Sequence, residues 1–123
     1  MLAAEFLERL SPHRRPELPE TTAGTFRLDL HDGGHTEHWY LTLHDQRLDV
    51  TRSAADADLV VRGDREVFDK LAAGRTHVFA AVMRNELTLR GDMRLLMTLR
   101  RVFPGPADAR HPREAARRGD GRR

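Results

Sequence analysis

Apolar residues recur along this chain with two different periods, and the switches between them mark out its elements. From Thr25 to Leu30 they alternate, with Phe26, Leu28 and Leu30 on one side and Arg27 and Asp29 on the other. That is the period of a half-buried strand. Asp32-Gly33-Gly34 turns the chain, and His35 to Leu43 returns with Glu37, Trp39, Leu41 and Leu43 on one face. After a second turn at His44-Asp45-Gln46, Leu48-Asp49-Val50 continues the meander, and Asp58 to Val61 reads as a fourth strand. Elsewhere the spacing is helical. Leu2, Phe6, Leu7 and Leu10 predict a short amphipathic helix stopped by Ser11-Pro12, and Val67, Phe68, Leu71 and Ala72 predict another that ends at Gly74. Val78 to Met83 is apolar all round, which fits a buried helix or the wall of a pocket. Asn85 is expected in a left-handed turn before a fifth strand, Glu86 to Arg90. A last helix, Met93 to Phe103, closes at Pro104-Gly105-Pro106.

The second half says one thing twice. Leu59-Val60-Val61-Arg62-Gly63-Asp64 is answered 28 residues later by Leu87-Thr88-Leu89-Arg90-Gly91-Asp92. Each copy is a β-rich run, then Arg-Gly-Asp, then helical spacing. Glycine permits a sharp exit from a strand. Aspartate suits the N-cap, where its carboxylate meets free amide N–H groups and the positive end of the helix dipole. The repeat therefore reads as strand, cap, helix, and not as an adhesion tripeptide, which needs an exposed loop tip on a secreted protein. The helix after the second copy is unusual. Met93, Leu95, Leu96, Met97, Leu99, Val102 and Phe103 leave only Arg94, Thr98 and Arg101 as a polar side, more apolar surface than one-sided packing on a sheet requires.

Composition narrows the function classes. With 123 residues and no cysteine, the chain is one domain without disulfides, thiolate metal sites or thiol chemistry. No apolar run reaches the ~20 residues of a membrane span. Met1-Leu2-Ala3-Ala4-Glu5 lacks the pattern of a signal peptide, so a soluble, cytoplasmic protein is expected. Of 21 basic residues only Lys70 is a lysine, the bias expected of a GC-rich bacterial genome. A sequence pI of 9.9 invites a nucleic-acid partner, but the charge is uneven. Residues 104–123 carry six arginines against Asp108, Glu114 and Asp120, whereas residues 1–103 carry 15 basic and 16 acidic side chains. A nucleic-acid binder would show a basic face with aromatics interleaved, and this nearly neutral body does not, so no nucleic-acid partner is expected. The expected organisation is an N-terminal helix and Pro-rich connector (1–21), a folded unit (22–103), and a basic, disordered tail (104–123). The tail's charge suits transient contact with an anionic membrane.

Chemistry-bearing residues are sparse. His31, His35, His38 and His44 cluster, but a spacing of three puts His35 and His38 on opposite faces of a strand, and no cysteine or carboxylate triad accompanies them. Solvated hairpin histidines, and no metal, are the expectation. Ser11 and Ser53 sit in no nucleophile-elbow context.

In its order of elements the chain resembles the sterol carrier protein type 2 family. The match lies in Ala57-Asp58-Leu59-Val60-Val61, Val67-Phe68, Leu71-Ala72-Ala73-Gly74, Ala80-Ala81 and, above all, Leu87 to Leu99. Asn85 stands where the family usually has glycine, and Asp45-Gln46 replaces its usual Asp-Gly turn. The resemblance implies an α+β fold: a five-stranded, mainly antiparallel sheet with helices on one face enclosing an apolar tunnel. It implies binding or transfer of a hydrophobic small molecule such as a fatty acid, fatty acyl-CoA or sterol, with no cofactor and no catalytic residues. Methionine is flexible and polarisable and suits a wall that adapts to different ligands. Together with the family pattern, the clustering of methionines in the two over-apolar segments makes Phe68, Phe79, Val82, Met83, Met93, Leu96 and Met97 the candidate ligand-binding residues. Arg90, Arg94 or His77 would meet a polar head at the mouth. Two rivals stand beside this reading. One is an enzyme or chaperone of a hydrophobic intermediate, with His77 or a hairpin histidine as acid/base. The other is an accessory module that forms a homodimer through the wide helix face.

Overall fold

The structure, a computed structural model, describes residues 2–10, 18 and 22–104. Most of the expected connector, and the tail from Gly105, lie outside the described residues.

Five strands form one sheet: β1 (Gly24–Asp32), β2 (His35–His44), β3 (Arg47–Arg52), β4 (Leu59–Asp64) and β5 (Leu87–Gly91), in the order β3-β2-β1-β4-β5. Four helices complete the α+β fold: α1 (Ala3–Leu10), α2 (Arg65–Ala72), α3 (Val78–Met83) and α4 (Leu95–Val102). The sheet is mixed, because β1 and β4 run parallel at its centre while every other pair is antiparallel.

Register turns the alternating pattern into layers. Val50, Leu41, Phe26 and Leu59 align across four strands, and Trp39, Leu28, Val61 and Leu89 align beside them. These rows face the helices, whose buried side chains include Leu7, Phe68, Val78 and Leu99. The opposite face carries Arg27, Asp29, His38, Tyr40 and Arg62, and the crossover from β3 to β4 lies over part of it. Arg27 Nη1 donates to the carbonyls of Ala54 (3.0 Å) and Ala55 (3.1 Å), and the Tyr40 hydroxyl donates to that of Asp56 (2.9 Å).

The turns hold what the sequence asked of them. Asp45 and Gln46 both sit in the left-handed region, at φ 51° and 64°. Gln46 is buried, and its Nε2 donates to the Leu18 carbonyl at 2.7 Å, which ties the segment before β1 to the β2–β3 turn. α2 and α3 end in the same way. Gly74 (φ 72°) and Asn85 (φ 60°) each follow the C-cap. The next amides, of Arg75 and Glu86, reach back to the carbonyls of Lys70 and Ala81 at 2.9 Å, closing Schellman motifs. α1 is docked by the Ala3 amide on Asp69 Oδ1 (2.8 Å) and by Phe6 stacked on Phe103 with ring centroids 5.2 Å apart.

Candidate functional site

The apolar layer between sheet and helices is where the candidate residues fall, and α3 and α4 decide its outer wall. α3 starts at His77, whose Nδ1 accepts the Ala80 amide at 3.3 Å. That cap commits the ring nitrogen to structure. Val78 and Ala81 are the buried positions of α3 and Phe79 and Val82 are half-buried, while Met83, at its end, is 82% exposed. α4 turns Leu95, Leu96, Leu99 and Val102 inward, while Met97 is 51% exposed and Met93, in the turn before the helix, is 46% exposed. The two helices meet where the Arg100 guanidinium lies 5.4 Å from the Phe79 ring centroid.

The seven candidates therefore divide by depth. Phe68 and Leu96 are in the core, Phe79 and Val82 lie at its margin, and Met83, Met93 and Met97 face outward. This gradation from buried to exposed side chains offers apolar contact, whose driving force is the exclusion of water.

A concavity lies elsewhere, away from these residues. An open groove of about 550 Å³ runs between the ends of β1 and β4, the first turns of α2 and the start of β5. Its walls include Asp29, His31, Arg62, Asp64, Glu66 and Lys70. An acyl chain gains little against such charged walls, so this groove is the poorer site for a lipid. No group of three or more metal-ligating side chains occurs among the described residues.

Sequence reading missed the polar network beside that groove. Asp29 is 3% exposed and is gripped through both oxygens by Arg27, with Nε–Oδ1 3.0 Å and Nη2–Oδ2 3.2 Å. His38 Nδ1 lies 2.7 Å from Oδ1, and Arg62 Nε lies 3.7 Å from Oδ2. Burial pushes the carboxyl up, but hydrogen bonds from Arg27 and His38, together with their charges, outweigh it and hold the group below the ordinary carboxylate value. The signal was present as an Arg-x-Asp pair on the polar face of β1, opposite a histidine once the hairpin register is fixed. His31, His35 and His44 are exposed as expected, whereas His38 is half-buried by this pairing.

Comparison with known proteins bears on the fold and family. Residues 4–104 match the model of the SCP-2 sterol transfer family. Over 90 residues the chain is 33% identical to hydroxysteroid dehydrogenase-like protein 2 of Danio rerio, an alignment covering 72% of this chain and 21% of that one. The chain thus spans about a fifth of that relative's length. The solution structure of palmitated sterol carrier protein 2 like 2 of Aedes aegypti aligns with a TM-score of 0.65 at 22% identity, over 83% of this chain and 94% of that one. The apo form of sterol carrier protein 2 from Yarrowia lipolytica aligns with a TM-score of 0.56 at 20% identity, over 81% and 72%. At these identities the structural likeness speaks to the fold alone.

Proposed function

The chain belongs to the SCP-2 sterol transfer family, and we propose that it is a non-catalytic cytoplasmic carrier of a fatty acid, fatty acyl-CoA or sterol-like molecule. In this reading the ligand lies between the sheet and helices α3 and α4. Phe68 and Leu96 form its inner wall, Phe79 and Val82 its side, and Met83, Met93 and Met97 the rim of its entrance. The observation that carries the reading is the apolar surface left over at α4. The buried stripe of Leu95, Leu96, Leu99 and Val102 is enough to pack a helix onto a sheet, yet Met97 on the helix and Met93 in the turn before it add exposed apolar surface beyond that stripe. Burial supplies the driving force. Removing ~300 Å² of lipid surface from water at about 25 cal/mol per Å² gives roughly 7 kcal/mol before ordering costs are subtracted.

Native mass spectrometry of the purified chain should show a carried-over lipid, and a fluorescent fatty acid should bind saturably. Leu96→Trp fills the inner wall and should weaken probe binding about tenfold, roughly 1.4 kcal/mol, while the chain stays folded. A chain with no carried lipid and no saturable probe binding is not a carrier. A Leu96→Trp chain that binds the probe like the parent while its thermal midpoint drops shows Leu96 to be plain core.

A further inference from the structure

The charged groove beside β4 has no part in the carrier reading, and the fold leaves its ions unpaired. Its floor lies on the face of the sheet turned away from the apolar layer. There Asp29, Arg62 and Thr88 stand side by side across β1, β4 and β5, and His31 and Asp64 form the next row. α2 supplies a wall with Glu66 and Lys70. The floor is built rather than loose. Asp29 is 3% exposed and fixed through both oxygens by Arg27, and His31 Nδ1 lies 3.2 Å from Thr36 Oγ1.

Elsewhere neighbouring charges close on one another, as Arg84 does on Glu86 at 3.0 Å and Arg94 on Asp92 at 3.1 Å. In the groove they do not. Asp64, Glu66 and Lys70 make no side-chain hydrogen bond or ion pair among the described residues. Asp64 stands at the N-cap of α2 without capping it. Glu66 and Lys70 are one helical turn apart, in the order that favours pairing, and still stay separate. Arg62 approaches Asp29 Oδ2 with Nε at 3.7 Å, too long for a hydrogen bond.

These ions form two dipolar pairs. β4 presents Arg62 and then Asp64 on one face, about 6.5 Å apart along the strand. α2 presents Glu66 and then Lys70, about 6 Å apart along the helix. A molecule with one sign of charge meets a like charge on both elements. A molecule with both signs meets an opposite partner for each.

We propose that this groove binds a small zwitterion whose ammonium and carboxylate are a few bonds apart, the chemistry of a free amino acid or short peptide. Arg62 and Lys70 meet its carboxylate, and Asp64 and Glu66 meet its ammonium. Thr88 and Asn85, which also border the groove, offer neutral hydrogen-bonding groups to whatever amide lies between the two charges. The volume of about 550 Å³ lies within the ~300–1,000 Å³ of small-molecule sites. The proposal goes beyond the carrier reading and needs no lipid in the apolar layer.

The test titrates the full, isotopically labelled chain with triglycine, N-acetyltriglycine and triglycine amide. These probes keep nearly the same size and carry both charges, the carboxylate alone or the ammonium alone. Triglycine should shift the backbone amides of Arg62, Asp64 and Glu66 saturably, with a dissociation constant of about 1 mM or below. Each blocked form should bind about fivefold or more weakly. Lys70→Gln should weaken triglycine and N-acetyltriglycine about fivefold and leave triglycine amide within about twofold. Glu66→Gln should do the reverse, weakening triglycine and the amide while sparing the acetylated form. Both side chains are exposed, so the urea midpoint should stay where it is, and Arg47→Gln on the far edge strand should change no affinity. Equal binding of the three probes overturns the proposal, as does a substitution that weakens all three alike. So does the absence of saturable shifts at those amides by about 10 mM. A fluorescent fatty acid is titrated into the same chain with and without triglycine. Competition between the two overturns a separate groove site, whereas a chain that takes up no fatty acid but binds triglycine sinks the carrier reading alone.

Discussion

The two Arg-Gly-Asp copies have the same letters and different physics. In the first, Gly63 lies inside β4, opposite Leu30 on one side and Leu87 on the other. It is needed for what it lacks: a Cβ there would stand 2.7 Å from Leu87 Cδ2 and 2.9 Å from the Glu86 carbonyl oxygen. In the second, Gly91 ends β5 at φ 119°, where a Cβ would collide with the carbonyl oxygen of Asp58. The aspartates differ as well. Asp64 occupies the N-cap position of α2, yet its side chain makes no capping hydrogen bond. Asp92 Oδ1 accepts the Arg94 amide at 3.0 Å and opens a turn through Met93 and Arg94, so α4 starts at Leu95. Arg62 of the first copy reaches across to the buried Asp29 of β1, while Asp92 of the second takes Arg94 just beyond it. A repeated tripeptide thus constrains local conformation less than the strand beside it does.

That contrast can be broken most sharply at the glycines. Gly91→Ala combines backbone strain with a backbone collision and should cost about 4 kcal/mol or more, to the point of failing to fold. Gly63→Ala keeps an ordinary backbone but meets both a movable Leu87 tip and the Glu86 carbonyl oxygen, so about 2–3 kcal/mol is expected. Urea unfolding of both variants checks the order, and a Gly63→Ala chain less stable than Gly91→Ala would reverse the account.

Next comes the carboxylate that Arg62 approaches. Asp29→Asn should cost about 2 kcal/mol at neutral pH by leaving Arg27 without its anion. The folded protein holds the Asp29 carboxyl below its ordinary value of 3.8. Its contribution is therefore fully present above that value and is lost as pH falls through the lower, folded one. The gap between parent and variant should close over that acid range, as read from urea midpoints across pH. A gap that widens toward acid would mean that burial, and not the arginine, dominates the site.

The smallest effect separates the two caps. Asp92→Ala should lower the thermal midpoint by about 4 °C, whereas Asp64→Ala should leave it within about 1 °C. Equal shifts would restore the equivalence that the sequence repeat implies.

What the sequence disclosed follows from the range of the forces involved. The meander, both Schellman ends, and the left-handed Asn85 were legible because alternation, helical spacing and turn chemistry act over a few residues. Met93 was placed in a helix that begins two residues later, since nothing local says whether Asp92 caps a helix or a turn. The role of Gly63 was read as strand exit because the tight neighbour, Leu87, is remote in sequence. The parallel pairing of β1 with β4 was hidden for the same reason: alternation tells which face a residue takes, not which strand stands beside it. At the candidate site, the apolar excess of α3 and α4 was visible in the pattern, but the depth of each side chain was not. Helical spacing gives an angle around an axis, and the exposure of Met83, Met93 and Met97 depends on what packs against that angle.

The central parallel pair also sets the order in which the molecule can assemble. β1, β2 and β3 are joined by tight turns and can find one another early, since closing a short loop loses little chain entropy. The contact that joins this meander to the rest spans far more chain: the Thr25 amide meets Asp58 Oδ2 across 33 residues. β5 and the helices above it can settle only after that closure. The rate of folding should therefore be governed by a long-range encounter in the middle of the sheet, the kinetic signature of high contact order. Until it happens, the facing edges of β1 and β4 stand open to strands from other chains.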